Sequence, residues 1–141
     1  MITIKKDTLF QKLVRRFDTV YAASDTAATI RFTFQGTRFG LYDVIGPGSG
    51  AYHINIDGRD TVVNRFDRFC TYWRTHYILL PELPEGIHYV TISPYGGTLD
   101  KESIMKKTFT EEERKLYETK AVYLGQLLLA GHIIKEKPGG Q

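Results

Sequence analysis

The chain has 141 residues, of which 42% are hydrophobic and 25% are charged, with a formal net charge of +3. This composition is ordinary for one globular domain that buries most of its apolar surface. The basic residues are interspersed with acidic ones, and the apolar stretches fall short of the about 20 residues that a membrane-spanning helix needs. We therefore expect neither a nucleic acid nor a membrane as partner.

The single cysteine, Cys70, limits the chemistry further. An internal disulfide and a thiolate-rich zinc site both need a second sulfur, so both are excluded. The first six residues lack the charged-then-apolar-then-small pattern of a signal peptide, which leaves the cellular location open. We assign residues 1–134 to one domain and residues 135–141 to a tail or linker remnant.

The first part of the chain contains several candidate strands. Residues 2–23 are apolar enough to add one or two. The clearest strand covers residues 28–34, where apolar and polar side chains alternate with the two-residue period of a half-buried strand. Residues 37–45 continue the pattern, and Gly36 between them predicts a bend or a hairpin.

A glycine-rich loop at residues 46–50 follows, with the sequence Gly-Pro-Gly-Ser-Gly. It lacks the Lys-Ser/Thr ending of a phosphate-binding loop and joins two strands, so it is interpreted as a hairpin loop. Residues 51–57 alternate again and end in Asp57-Gly58, a pair typical of a tight hairpin turn.

The next extended run, residues 69–80, has aromatic side chains on both faces and predicts a central strand. A turn around residues 81–86 ends it, and residues 88–93 form the following strand with Val90 and Ile92 inward. Four to five strands at this spacing favour a sandwich or jelly roll over a parallel α/β sheet.

The pattern changes in the last third of the chain. Residues 110–113, Thr-Glu-Glu-Glu, have the form of a capping box and predict a short helix to about residue 120. Residues 122–134 predict a closing strand with Gly125 and Gly131 as bulge or bend positions. The fold class is therefore an all-β antiparallel sandwich of the jelly-roll kind, with one or two short helices near residues 100–120.

Candidates for catalysis and metal binding are weak. The four histidines lie on different predicted strands without metal-binding spacing, and His88 is interpreted as a packed or hydrogen-bonded strand residue. Acidic pairs such as Asp57 with Asp60 could hold a structural calcium ion, but ion pairs and turn caps explain them more simply. Cys70 is expected to be buried and inert. We predict no cofactor and no catalytic residue.

The supply of aromatic residues favours ligand binding, although two stacked sheets also use aromatic side chains in their core. Exposed rings beside polar side chains hold sugars, because the rings pack on pyranose C–H faces while the polar groups bind the hydroxyls. The candidate ligand-binding residues are Tyr42, His53, Asn55, Tyr72, Trp73, Arg74 and Tyr95.

About half of the chain resembles the galactose-binding-like jelly-roll modules attached to SGNH/GDSL hydrolases. The segments that carry this resemblance are residues 28–42, 46–50, 54–58, 66–67 with 72–74, and 86–90. It implies a non-catalytic accessory domain beside a secreted or periplasmic esterase, with a polysaccharide or oligosaccharide and the catalytic domain as partners. The family's catalytic blocks, Gly-Asp-Ser among them, are not in these residues.

Two other functions remain open at this point. The chain could be a small hydrolase that uses Asp57, His53 or His88, and Arg74 in a cleft, which requires these side chains to converge. It could also be a protein-interaction domain that oligomerises through an exposed edge strand.

Overall fold

The computed structural model describes residue 17 and residues 20–135. In this part of the chain it has seven strands, paired antiparallel, and two short helices. The elements are β1 (Tyr21–Ala23), β2 (Ile30–Ile45), β3 (Ala51–Ile56), β4 (Arg59–Asn64), β5 (Arg74–Leu79), β6 (Gly86–Pro94), α1 (Lys101–Met105), α2 (Glu111–Tyr117) and β7 (Val122–Ile134).

Two long strands, β2 and β7, organise the sheet. The first part of β2, residues 30–36, pairs with β6, whereas its second part, residues 40–45, pairs with β5. β7 pairs with β2 along most of its length on the other side. One layer is therefore β4-β3-β6-β2-β7 and the other is β5-β2-β7-β1, so that both layers share the two long strands.

A pair of glycines makes this change of layer possible. Gly36 lies opposite Gly131, and the register between β2 and β7 shifts directly after this pair. A Cβ atom on Gly36 would collide with the carbonyl oxygen of Ala130, and one on Gly131 would collide with that of Gln35. The two backbones thus approach more closely than side chains permit, which confirms the predicted bend at Gly36 and the bend position at Gly131.

The core lies between the two layers. It takes inward side chains from both, and each fully buried large apolar side chain contributes about 1.5–3 kcal/mol. The principal residues are Phe34, Phe39, Leu41, Tyr52, Ile54, Val90, Ile92, Val122 and Leu124. The prediction of an all-β sandwich is confirmed, and Val90 and Ile92 point inward as expected.

Three further predictions from local sequence are confirmed. Asp57 and Gly58 both have positive φ, 52° and 89°, and connect β3 to β4 as a tight hairpin. The Thr110 hydroxyl accepts from the Glu113 amide while the Glu113 carboxylate accepts from the Thr110 amide, which is the predicted capping box. The predicted bounds of β7 also agree with the structure.

The interpretation of residues 46–50 as a hairpin loop was wrong. β2 and β3 do not pair with each other, because β6 lies between them in the sheet. The loop instead passes from one layer to the other, and all five of its residues are buried. Ser49 forms an isolated parallel bridge with Ala121, and the Lys101 ammonium donates to the Pro47 carbonyl at 2.8 Å. These bonds satisfy backbone groups that burial would otherwise leave unpaired.

The predicted strand at residues 69–80 is shorter than expected and lies at an edge. Residues 68–72 form a turn, since the Asp67 carboxylate accepts from the Phe69 amide and competes with extended pairing. β5 begins at Arg74 and pairs only with β2 among the described residues. Of the strands predicted for residues 2–23, β1 is present; residues 1–16, 18 and 19 lie outside the described residues, as do residues 136–141 of the predicted tail.

Candidate functional site

An open groove of about 790 Å³ crosses the outer face of the layer that contains β3, β6 and β2. Its walls combine the aromatic side chains of Phe32 and Tyr89 with polar and aliphatic ones. We call it the Tyr89 groove and define it by Arg31, Thr33, Asn55, Tyr89, Thr91 and Ile134.

The strand register explains why these side chains meet. Thr91 on β6 lies opposite Asn55 on β3 and also opposite Arg31 on β2. Tyr89 lies two residues before Thr91 and therefore points to the same outer face. Arg31 and Asn55 are thus diagonal neighbours of Tyr89, at the roughly 7–8 Å typical of such positions. Tyr89 is 64% exposed, so its ring is accessible to a ligand.

One end of the groove is held by Asp57 and His88. One Asp57 carboxylate oxygen accepts from the Tyr89 amide at 2.8 Å, and the other lies 2.6 Å from His88 Nδ1. Burial alone would raise the pKa of Asp57, but the hydrogen bonds from His88 and Tyr89 outweigh it and lower this pKa. The hydrogen bond to Asp57 also raises the pKa of His88. Together these bonds fix the β3–β4 turn beside Tyr89.

A second acidic residue, Asp60, also has side-chain partners within the protein. Its carboxylate accepts from the Asn55 amide at 2.9 Å and lies 3.0 Å from His53 Nε2. The hydrogen bond from Asn55 is the main reason that the pKa of Asp60 is lowered. Asn55 also accepts from the Gly58 amide at 3.0 Å, so the orientation of its side chain is fixed by two bonds.

Arg31 differs from these residues. It is exposed on the central strand β2, and its guanidinium has no ion-pair or hydrogen-bond partner among the residues that the structure describes. The groove therefore contains the Arg31 guanidinium, which is available to a ligand, beside the exposed ring of Tyr89.

The seven predicted ligand-binding residues fall in separate places. His53 and Asn55 share the outer face of β3, and of these only Asn55 lines the Tyr89 groove. Tyr42 lies on β2 with its ring edge-on to Phe17, at 5.2 Å between centroids. Tyr95 follows the end of β6.

The other three predicted residues, Tyr72, Trp73 and Arg74, lie at the start of β5. The Arg74 guanidinium donates to the Asp67 carboxylate at 2.8 Å and lies 5.7 Å from the centre of the Tyr72 ring. Trp73 packs edge-on against Tyr123 at 5.4 Å. Thus the structure does not bring the seven residues together into one site.

The residues considered for a hydrolase, Asp57, His53, His88 and Arg74, come together only in part. Asp57 contacts His88, but His53 pairs with Asp60 instead. Arg74 lies opposite Ile45 near one end of β2, far along the strand from the position opposite His88. The His88 ring is 7% exposed, and its second nitrogen lies 2.7 Å from the Pro84 carbonyl. A ring engaged at both nitrogens has no free atom to act as a base.

Five of the six residues that define the groove were not among the predicted ligand-binding residues; Arg31, Tyr89 and Thr91 are three of these. Each stands at an outward position of an alternating strand, which the sequence does reveal. Their proximity depends on β2 and β6 being neighbours, and no local signal encodes that.

Other reactive groups are enclosed. The Cys70 thiol is fully buried, as expected, and burial raises its pKa. Within residues 20–135, no cluster of three or more His, Cys, Asp or Glu side chains could hold a metal ion. None of the described helices has the length and apolar character required to cross a membrane.

The sequence matches no protein-family model and no curated protein.

Proposed function

We propose that this chain is a non-catalytic accessory β-sandwich module of a polysaccharide-acting SGNH/GDSL-type esterase, and that it binds carbohydrate in the Tyr89 groove. The observation that carries the proposal is the exposed Tyr89 ring between two diagonal polar neighbours, Arg31 and Asn55. A pyranose ring stacked on Tyr89 would present its hydroxyls to these side chains and to Thr91.

The groove is suited to binding because its residues lie on paired strands. β6 is hydrogen-bonded to β2 on one side and to β3 on the other. Asp57 further ties the β3–β4 turn to Tyr89. A ligand would therefore order few side chains on binding, which lowers the entropic cost of association.

The groove also favours binding over catalysis. Its acidic neighbour Asp57 is engaged by His88 and by the Tyr89 amide, and His88 is largely buried. Hydrolysis would need a general acid or base that reaches the ligand. In this proposal the parent esterase supplies the catalysis, and the module holds the polysaccharide near it in a secreted or periplasmic enzyme.

A test combines NMR chemical-shift mapping with calorimetry, using oligosaccharides of xylan, pectin and mannan. We expect millimolar or tighter binding with shifts centred on the Tyr89 groove. Tyr89→Ala should weaken binding about tenfold through loss of the stacking contact. The matched control is Tyr77→Ala on β5, since Tyr77 is similarly exposed at 60%. Absence of shifts with every oligosaccharide, or loss of binding in the Tyr77 variant alone, would contradict the proposal.

Docking on the catalytic domain is a second candidate function. It is favoured by exposed apolar side chains on and just before β5, which form what we call the β5 patch. The patch consists of Phe69, Tyr72, Tyr77 and Leu79. Apolar side chains exposed together on a surface commonly mark contacts with another protein.

Light scattering of the module mixed with its catalytic domain tests this second function. The wild type is expected to form a one-to-one complex, and the double variant Tyr72→Ser, Tyr77→Ser should not. Self-association of the module alone would instead indicate oligomerisation through the β5 edge. A complex that survives in the double variant would exclude the β5 patch as the docking surface.

A further inference from the structure

We infer that the Tyr89 groove selects acidic oligosaccharides, those with uronic acid units, over neutral ones. This inference rests on the carbohydrate-binding function proposed above and names the ligand class for the same groove. The observation behind it is a difference in partners: the carboxylates at the groove are bonded within the protein, whereas the Arg31 guanidinium has no partner among the described residues.

Two carboxylates, Asp57 in the groove lining and Asp60 beside it, already have partners. Asp57 is bonded to His88 and to the Tyr89 amide, and Asp60 is bonded to Asn55 and His53. Asp57 also interacts with the positive charge of Arg59. Asp57 therefore lies beside cationic groups of the protein, and the Asp60 carboxylate is engaged by side chains of the protein itself.

The guanidinium of Arg31 is placed to bind a carboxylate. A guanidinium offers a planar fork of N–H donors that matches the two oxygens of a carboxylate. Arg31 shares the row of Thr91 and is diagonal to Tyr89, while the aliphatic Ile134 lines the same groove.

The geometry gives a specific binding mode. A uronic acid differs from the corresponding neutral sugar in having a carboxylate on the ring carbon next to the ring oxygen. With the ring stacked on Tyr89, this carboxylate would accept from Arg31 while the hydroxyls face Thr91 and Asn55. The neutral sugar keeps the stacking and the hydroxyl contacts but loses the charged one.

The test uses trigalacturonic acid and its fully methyl-esterified form, which have the same sugar units and differ in the charge and the methyl group of each carboxyl. We expect wild-type protein to bind the acid about tenfold more tightly than the ester in calorimetry at low salt, and about 0.5 M NaCl to reduce the difference by screening. Arg31→Gln should bring the two affinities to within about twofold, and Arg31→Lys should retain part of the preference. The control is Arg68→Gln, an exposed arginine in the turn before β5, which should behave as wild type.

The outcomes separate the two proposals. Equal affinity of the wild type for acid and ester, or a preference for the ester, overturns the acidic selectivity and leaves carbohydrate binding intact. An acid preference that survives in Arg31→Gln overturns the assignment of that selectivity to Arg31. Failure to bind either form or any neutral oligosaccharide overturns both. Because Arg31 is exposed and unpaired, the Arg31→Gln spectrum should show wild-type dispersion, and NMR checks this before titration.

Discussion

Arg65 donates two hydrogen bonds, each 2.9 Å long, to the two carboxylate oxygens of Asp43. Both side chains are buried, and Asp43 also accepts from the Tyr52 hydroxyl at 3.1 Å. Burial, and then the negative charge of Asp43, raise the pKa of Tyr52 well above its ordinary value, so its hydroxyl remains a donor. Because Asp43 lies on β2 and Arg65 directly after β4, this ion pair joins elements from the two layers of the sandwich.

The first prediction concerns this pair. Arg65→Met is expected to lower the free energy of unfolding by about 3–5 kcal/mol, because it leaves a buried carboxylate without its countercharge. The double variant Asp43→Leu, Arg65→Met should recover part of that loss. Urea denaturation measures both effects. Equal stability of the single variant and the wild type would show that the pair contributes little.

The pH dependence of stability should reveal the His88–Asp57 pair. The pKa of His88 is raised above 6.5, so its contribution is complete below pH 6.5 and is lost as the pH rises through the raised value. The pKa of Asp57 is lowered, so its contribution is present above pH 3.8 and is lost as the pH falls through the lowered value. The pair therefore stabilises the fold most between these limits.

Denaturation of the wild type and of His88→Gln at about pH 5.5 and about pH 9 tests this dependence. The difference in unfolding free energy between the two proteins should be larger at the lower pH. In the background of Asp57→Asn, the His88→Gln substitution should show a much weaker pH effect. A difference independent of pH would contradict the proposed ion pair.

The close contact between Gly36 and Gly131 should make the fold sensitive to an added side chain. Gly36→Ala should destabilise the fold strongly, since the added Cβ meets the carbonyl of Ala130. Gly86→Ala is the matched control, because Gly86 lies opposite Gly36 on β6 with nearly the same φ, and its Cβ would meet open space. The control should cost only the backbone strain of about 1–3 kcal/mol. Thermal unfolding of the two variants separates strain from collision, and equal losses would argue against the close approach of β2 and β7.

We expect Lys101 to stabilise the buried loop at residues 46–50. Its ammonium donates to the carbonyls of Pro47 and Thr119, each at 2.8 Å, and lies 4.4 Å from the centre of the Phe66 ring. Lys101→Met should destabilise the protein by about 1–3 kcal/mol by leaving buried carbonyls without a donor. Lys115→Met, at an exposed position of α2, serves as the control and should change stability little. Similar losses of unfolding free energy in both variants would mean that the hydrogen bonds from Lys101 contribute little to stability.

The hydrolase hypothesis predicts a measurable rate that the structure disfavours. With nitrophenyl acetate, we expect the wild type, His53→Ala and His88→Gln to show the same background hydrolysis, since both His88 nitrogens are engaged. A wild-type rate above that of buffer that disappears in either variant would support catalysis in this chain.

Features governed by neighbouring residues were predictable from the sequence. Alternation along residues 28–45, the capping box at Thr110, the Asp57-Gly58 turn and the extent of β7 are all properties of short segments. Their physical causes, side-chain period, local hydrogen bonds and positive φ, act within a few residues.

The relations between distant segments could be seen only in the folded protein. The order of strands places β6 between β2 and β3. Residues 46–50 therefore form a buried connection between the two layers and not the expected hairpin. The same strand order places Tyr89 beside Arg31 and Asn55. Outward alternation marked these side chains as exposed but not as neighbours. Strand partners are chosen by how the whole set of apolar faces is buried together, and that choice is not written in any one segment.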